Sequence, residues 1–136
     1  MFDTRPEVAR QLDDELVGWL TTVTATGKPQ SSVVWFLREG DDLLIYSQVT
    51  GKKLDNIAAN QRVAFNLRGD PQGDQVVSIE ATATVDESPT PAHEAPAYLA
   101  KYEGQITRLG WTPAEFATDY PILIRLTIDR IRSWQD

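Results

Sequence analysis

The chain has 136 residues, enough for one domain with its own core and too few for two ordinary ones. Hydrophobic residues at 41% and charged residues at 24% exclude wholesale disorder, and the net charge of −7 repels nucleic-acid phosphates and anionic membrane surfaces, so neither partner is expected and any anion site must be local. The absence of cysteine excludes disulfides, thiolate metal sites and cysteine nucleophiles.

The start, "MFDTRPEVAR", has neither the basic region nor the apolar stretch of a signal peptide, and no apolar run approaches the roughly 18 residues of a membrane span, so a cytoplasmic location is expected. "TRPEVARQLDDE" offers a capping box from Thr4 to Glu7 with Pro6 in the first turn, which predicts a helix over 5–15. The β-branched and aromatic run 16–24, the turn "ATGKP" and the run 30–39 read as a hairpin. "DLLIYSQ" (42–48) supplies a third strand. The period then changes, and Leu54, Ile57 and Ala58 mark one face of a short helix.

A fourth strand over 62–69 and a fifth over 75–85 follow, the latter with Val77, Ile79, Ala81, Ala83 and Val85 on one face. The proline-rich stretch 86–96 reads as a surface loop, "AYLAKYEGQITRLG" as a helix, and Thr112, Pro113 and Glu115 as the start of another. "PILIRLTIDRIRSW" closes the chain as a sixth strand. Sequential antiparallel strands with few helices predict an α+β, mainly β, single domain over 1–136, a small six-stranded barrel with short flanking helices.

Residues able to carry chemistry are few. His93, the one histidine, lies in the proline-rich loop, so the usual zinc sets and histidine-activated nucleophiles have no support and a hydrolase is disfavoured. The acidic pairs Asp13–Asp14 and Asp41–Asp42 read as solvated surface. No glycine loop for a dinucleotide or nucleoside triphosphate occurs.

One stretch runs against its own electrostatics. "YSQVTGKKLDNIAANQR" (46–62) puts Lys52 and Lys53 at a helix start, where the partial positive charge disfavours lysine by a few tenths to about 1 kcal/mol each. The same N–H groups, the two ammonium groups and the Thr50 hydroxyl would hold a phosphate well; two plain surface lysines are the other reading. Trp35, Phe36 and Tyr46 on the adjacent strands are either core or the walls of a pocket for a flat ring.

The ordered set "GWLTTVTATGKPQSSVVWFL", "LLIYSQVTGKKLDNIAANQRVAFNL" and "PAYLAKYEGQITRLGWTPAEFATDYPILIRLTIDRIRSW" resembles the pyridoxamine 5'-phosphate oxidase-like superfamily of flavin-reductase-type split β-barrels, in particular its actinobacterial branch that uses the deazaflavin coenzyme F420. The resemblance implies a homodimer with two cofactor sites at the interface. It implies that Lys52 and Lys53 hold the cofactor phosphate, with Asn56 in the same helix. Tyr46, Ser47 and Gln48 would line the ring and its side chain, and the strand from Ser32 through Val33, Val34, Trp35 and Phe36 would run along the ring edge. Gln75 would reach in from the second subunit, and Trp134 would approach from the terminal strand.

Ser32 and Leu37 stand where true pyridoxamine phosphate oxidases carry an arginine and a basic residue for the FMN phosphate, and "IRSWQD" lacks their C-terminal histidine. The resemblance therefore implies F420 rather than FMN, and an oxidoreductase passing a hydride from reduced F420 to a small unsaturated organic acceptor; no obligatory protein acid or base is expected, and by residue type alone Tyr46 or a water is the candidate proton source. The alternatives are an FMN-binding reductase or oxidase of the same fold, a non-catalytic binder of flavin, F420 or haem, and a cofactor-free dimer.

Overall fold

The structure, a computed structural model, describes residues 5–134. Helix α1 (Pro6–Asp14) carries Val8 and Leu12 on one face, four residues apart, and both are fully buried. Pro6 stands in its first turn, as expected; the capping residue Thr4 lies outside the described residues. Seven strands follow, interrupted by helices: β1 (Gly18–Val23), β2 (Pro29–Val34), β3 (Leu37–Glu39), β4 (Asp42–Ser47), α2 (Lys52–Ala59), β5 (Arg62–Leu67), β6 (Val76–Asp86), α3 (Pro96–Arg108), α4 (Pro113–Asp119) and β7 (Ile122–Trp134). The loop after β6 contains one 3-10 turn, Ala92–Glu94. At α4 the capping box is complete: the Thr112 hydroxyl accepts from the Glu115 N–H at 3.2 Å, and the Glu115 carboxylate accepts from the Thr112 N–H at 2.9 Å.

The strands form one antiparallel sheet in the order β2-β1-β5-β6-β7-β4-β3. Consecutive strands β2 and β3 are therefore its two opposite edges. A flat sheet of seven strands would hold those edges about 29 Å apart, at about 4.8 Å per step. The chain from Val34 to Leu37 spans at most about 11 Å. The sheet must therefore curl until its edges nearly meet, a barrel split between β2 and β3. An irregularity between Glu80 and Ala81 pairs Glu80 with Arg130 and Ala81 with Ile128, leaving Asp129 as the extra residue of β7 and adding to the curl.

The count of seven corrects the expected six. The run 30–39 is two strands because Trp35 and Phe36 leave the ladder. Phe36 finds its backbone partners on α3 instead. Its N–H donates to the Tyr102 hydroxyl at 2.8 Å, and its carbonyl oxygen accepts from Lys101 Nζ at 2.9 Å. The Tyr102 hydroxyl also lies 2.8 Å from the carbonyl oxygens of Leu16 and Phe36, either of which can take its proton. Alternation of apolar residues cannot reveal such a break, since the partner is 66 residues away.

Two apolar layers result. Inside the barrel, Leu20, Val34, Phe36, Leu43, Ile45, Phe65, Ile79, Ala83, Ile124 and Leu126 meet Val8 and Leu12 of α1 and Ile57 of α2. Outside it, Leu44, Tyr46 and Leu123 are covered by Tyr98, Tyr102 and Ile106 of α3 and Phe116 of α4. Strand β4 is thus buried on both faces, which explains its unbroken apolar run "LLIY". Of the face expected on β6, Val77, Ile79, Ala81 and Ala83 are buried, while Val85 at 39% exposure lies past the covered part. Asp13, Asp14 and Asp41 are exposed and Asp42 partly so, and one member of each pair is also ion-paired: Asp13 accepts from Arg38 at 2.8 Å and Asp42 from Arg125 at 2.8 Å.

Candidate functional site

Helix α2 enters from Gly51, whose φ of +128° suits glycine and strains any other residue. No side chain caps this start, so the Thr50 hydroxyl does not serve as a cap. Lys52 is exposed and Lys53 half-buried, and among the described residues neither pairs with a carboxylate. They face a recess of about 200 Å³ whose other walls are Thr22 of β1 and Gln30, Ser31 and Ser32 of β2. Asn56, one turn into α2, is buried and spends both amide hydrogens, on Thr22 Oγ1 at 2.9 Å and Gln30 Oε1 at 2.8 Å. It pins the helix start to the hairpin and orients two walls of the recess. The recess thus offers hydroxyls, an amide and two unpaired ammonium groups, a donor set suited to an anion.

A second cavity adjoins it, with Lys53 in both linings. This cleft, about 260 Å³, is lined by Val33, Val34 and Trp35 at the end of β2, and by Ile45, Tyr46, Ser47 and Gln48 at the end of β4. Strand β2 pairs only with β1, so one side of its backbone has no strand partner and faces the split. The remaining lining comes from the 96–120 excursion: Tyr98, Leu109, Trp111, Phe116 and Tyr120. These five were not anticipated. Their signal in the sequence is that five of the twelve aromatic residues fall between 98 and 120, but nothing local says that they fold back over β4.

The aromatic side chains brace one another. The Trp35 ring stacks on Tyr102 at 4.7 Å and 6° and on Phe116 at 5.4 Å and 17°. Phe116 stacks on Tyr120 at 4.6 Å, and Trp111 lies 6.1 Å from Phe116. The aromatic side of the cleft is therefore a preformed stack of rings. Lys53 is the single charged residue of the lining.

Among the candidate residues, the structure gathers Ser32, Lys52 and Lys53 at the recess and Val33, Val34, Trp35, Tyr46, Ser47 and Gln48 at the cleft. Three others stand elsewhere. The Phe36 ring is fully buried in the barrel, edge-on to Phe65 at 4.9 Å, and its backbone groups are already partnered, so it offers nothing to the cleft. Gln75 precedes β6, where its N–H donates to Asp70 at 2.6 Å. That bond is the main cause holding the Asp70 carboxyl below its ordinary pKa. Trp134 donates from its indole to the Gly73 carbonyl at 3.0 Å, beside the same loop. Neither residue lines the cleft of its own chain.

Tyr46 is also differently placed from a proton source. Its hydroxyl donates to the Thr90 carbonyl at 2.7 Å, and burial, with Asp86 and Glu39 nearby, pushes its pKa up. His93 sits in the 3-10 turn 3.5 Å from Glu94 and lines neither cavity. Among the described residues no group of three or more histidines or carboxylates gathers to hold a metal, and no helix is long and apolar enough to cross a membrane.

Comparison with known proteins agrees with this architecture. A conserved hypothetical protein of Mycobacterium tuberculosis superposes with a TM-score of 0.78 at 20% identity, over 99% of this chain and 86% of that one. An F420 reductase from Mycobacterium smegmatis gives 0.67 at 23% identity, over 90% and 94%. The haem storage protein of Vibrio cholerae gives 0.68 at 17%, over 98% and 95%. At these identities the likeness is one of fold. No curated protein matches in sequence. The pattern of the pyridoxamine 5'-phosphate oxidase family matches residues 4–135, nearly the whole chain, and the chain belongs to that family.

Proposed function

We propose that this protein is a reductase that uses coenzyme F420 and passes a hydride to a small unsaturated organic acceptor. The observation that carries the reading is that Lys53 stands in the linings of two cavities: a polar recess whose two lysines have no carboxylate partner among the described residues, and a cleft walled by aromatic and aliphatic side chains. A flat heterocycle with a phosphate-bearing tail matches that division. Lys52 and Lys53 would hold the phosphate, with Ser32 beside them and Asn56 fixing the walls. Val33, Val34, Trp35, Tyr46, Ser47 and Gln48 would hold the ring, with the unpaired edge of β2 offering backbone groups to it. When bound, the deazaflavin supplies the hydride; the chain's own residues bind, orient and exclude water.

Preference for F420 over FMN rests on the recess, where Ser32 occupies the place of a phosphate-binding arginine and only the two lysines are cationic. The protein acts as a homodimer. This is supported by the exposed Trp19 and Val33, opposite each other on β1 and β2, and by Trp134, apolar surface at 44%, 50% and 51% exposure. A second copy would also bring Gln75 and Trp134 to a cleft that they do not reach in their own chain. A cytoplasmic setting goes with this reading.

Calorimetric titration with F420 and with FMN tests it. Tighter binding of F420 is the expected outcome, followed by oxidation of reduced F420 in the presence of unsaturated acceptors. Tighter FMN binding would replace the cofactor; binding without turnover would make the protein a carrier. Failure of both to bind would overturn the reading. Sedimentation of the purified chain tests the dimer.

A further inference from the structure

Tyr46 and Tyr98 line another cavity besides the cleft, a groove of about 350 Å³. Its apolar lining comes from Leu37, Leu44, Tyr46 and Leu123 on the sheet and from Ala95, Pro96 and Ala97 where α3 begins. The loop that borders it is anchored, because the Tyr46 hydroxyl donates to the Thr90 carbonyl at 2.7 Å and Ala92 is 1% exposed. The groove is therefore preformed, and its volume falls within the range of small-molecule pockets, about 300–1,000 Å³.

Charge decides what such a groove can take. Glu39, Asp86 and Glu94 line it against one cation, Arg125. That guanidinium is already engaged, by Asp42 at 2.8 Å and by Glu39 at 3.5 Å. Among the described residues Asp86 has no cationic partner and accepts only from the Ser88 N–H at 2.9 Å, while Glu94 has only His93 at 3.5 Å. The carboxylates act on the lining itself: after burial, Asp86 and Glu39 are what raise the Tyr46 pKa. An apolar lining thus meets uncompensated negative charge, the reverse of the cleft, whose single charged residue is Lys53.

We propose that this groove is a binding site for a small organic ammonium ion, its apolar body against Leu37, Leu44, Leu123 and Ala97 and its cationic group towards Asp86 and Glu94. An anion of the same shape would meet like charge, and a neutral one would forgo the attraction. The site stands apart from the reductase reading, since only Tyr46 and Tyr98 belong to both linings.

The test uses the purified chain without cofactor and three probes that share one phenyl ring and differ in charge: phenethylammonium, phenethyl alcohol and hydrocinnamate. Titration followed by the amide resonances of the labelled chain reads both affinity and place. Phenethylammonium is expected to shift the Ala95 and Ala97 amides and to bind about 3- to 10-fold tighter than the alcohol, the worth of a few solvent-exposed charge contacts. Hydrocinnamate should leave those amides unmoved, and raised salt should narrow the gap between cation and alcohol. Asp86→Asn with Glu94→Gln should remove the preference; the asparagine keeps an oxygen for the Ser88 N–H, so the loop keeps its shape. Ala97 is exposed, so Ala97→Trp can fill the groove without disturbing the core, and it should abolish binding of the cation. The proposal is overturned if the cation does not bind, binds no better than the alcohol, or keeps its advantage in the doubly neutralised variant.

Discussion

The Tyr102 hydroxyl and the Phe36 peptide are joined twice, at 2.8 Å from the nitrogen and 2.8 Å from the carbonyl oxygen. One side chain of α3 thus takes the place of a neighbouring strand where the chain crosses between the two edges of the split barrel. The bond also sets the cleft, because Trp35 precedes Phe36 and stacks on the Tyr102 ring. Tyr102→Phe keeps the ring and removes its oxygen, leaving the buried Phe36 N–H without an acceptor. It should destabilise the fold by about 1–3 kcal/mol in urea unfolding. Near-ultraviolet circular dichroism should change as well, through the released Trp35.

Gly18 and Phe65 make a second constraint. A Cβ placed on Gly18 would stand 2.2 Å from the end of the Phe65 ring, which is fully buried and packed on Phe36. The ring cannot yield without opening the barrel. Gly18→Ala is therefore expected to cost on the order of 1–3 kcal/mol, the range for overpacking a core. Gly104→Ala is the matching control, since a Cβ there meets nothing within 4 Å and alanine favours the helix interior by about 1 kcal/mol over glycine. Thermal unfolding of the two variants should move in opposite directions.

Much of this architecture is legible in the sequence because it depends on local pattern. The alternation in β6, the three-residue spacing of Leu54 and Ile57 in α2, and the Thr112–Glu115 capping box each report a neighbour a few residues away, whereas Ala58, expected on the same face of α2, is exposed. What escaped depends on distant partners. The split of 30–39 into two strands is decided by Tyr102, and the cleft's second wall by how α3 and α4 fold over β4. The site followed the same division. Lys52 and Lys53 stand out as a conflict with the charge of a helix start, whereas Tyr98 looks like any core tyrosine until the fold puts it in the cleft lining. Phe36 illustrates the reverse: it belongs to the stretch that lines the cleft, yet its side chain packs in the barrel core and is absent from the cleft lining.

Lys101 gives the fold a pH dependence of definite sign. Its ammonium group donates to the carbonyls of Phe36 at 2.9 Å and Leu12 at 3.3 Å, and lies 3.9 Å from the Phe36 ring centre. Burial lowers its pKa from 10.5 to about 8, against the opposing pull of Asp13, Asp14 and Glu15 on and after α1. Between pH 8 and 10.5 the unfolded chain therefore holds a proton that the folded chain has released. Stability contributed by this residue should rise with pH across that window and be flat below it. The amine is partly open to solvent, so the amplitude falls short of the full linkage value. Urea unfolding of the wild type and Lys101→Met at several pH values isolates the effect. The difference in stability between them should change across the window in favour of the wild type; a constant difference would remove the assignment.

The lysine pair at α2 allows the sharpest separation of binding from stability. Both ammonium groups lack a carboxylate partner among the described residues and sit where the helix start already carries partial positive charge. Replacing them should therefore not harm the fold. Lys52→Ala with Lys53→Ala should leave the thermal midpoint unchanged or slightly raised, by a few tenths of a kcal/mol from relief of the unfavourable charge. A phosphate held there would lose two charge-assisted contacts worth about 1.5–3 kcal/mol each, so cofactor affinity should fall by at least about 100-fold. Asn56→Ala gives the contrasting result. It removes one buried and one part-buried hydrogen bond and should lower both stability and affinity, because it acts through Thr22 and Gln30 rather than on the ligand. If the double lysine variant binds F420 and FMN as tightly as the wild type, the phosphate does not lie at α2, and the recess is ordinary surface.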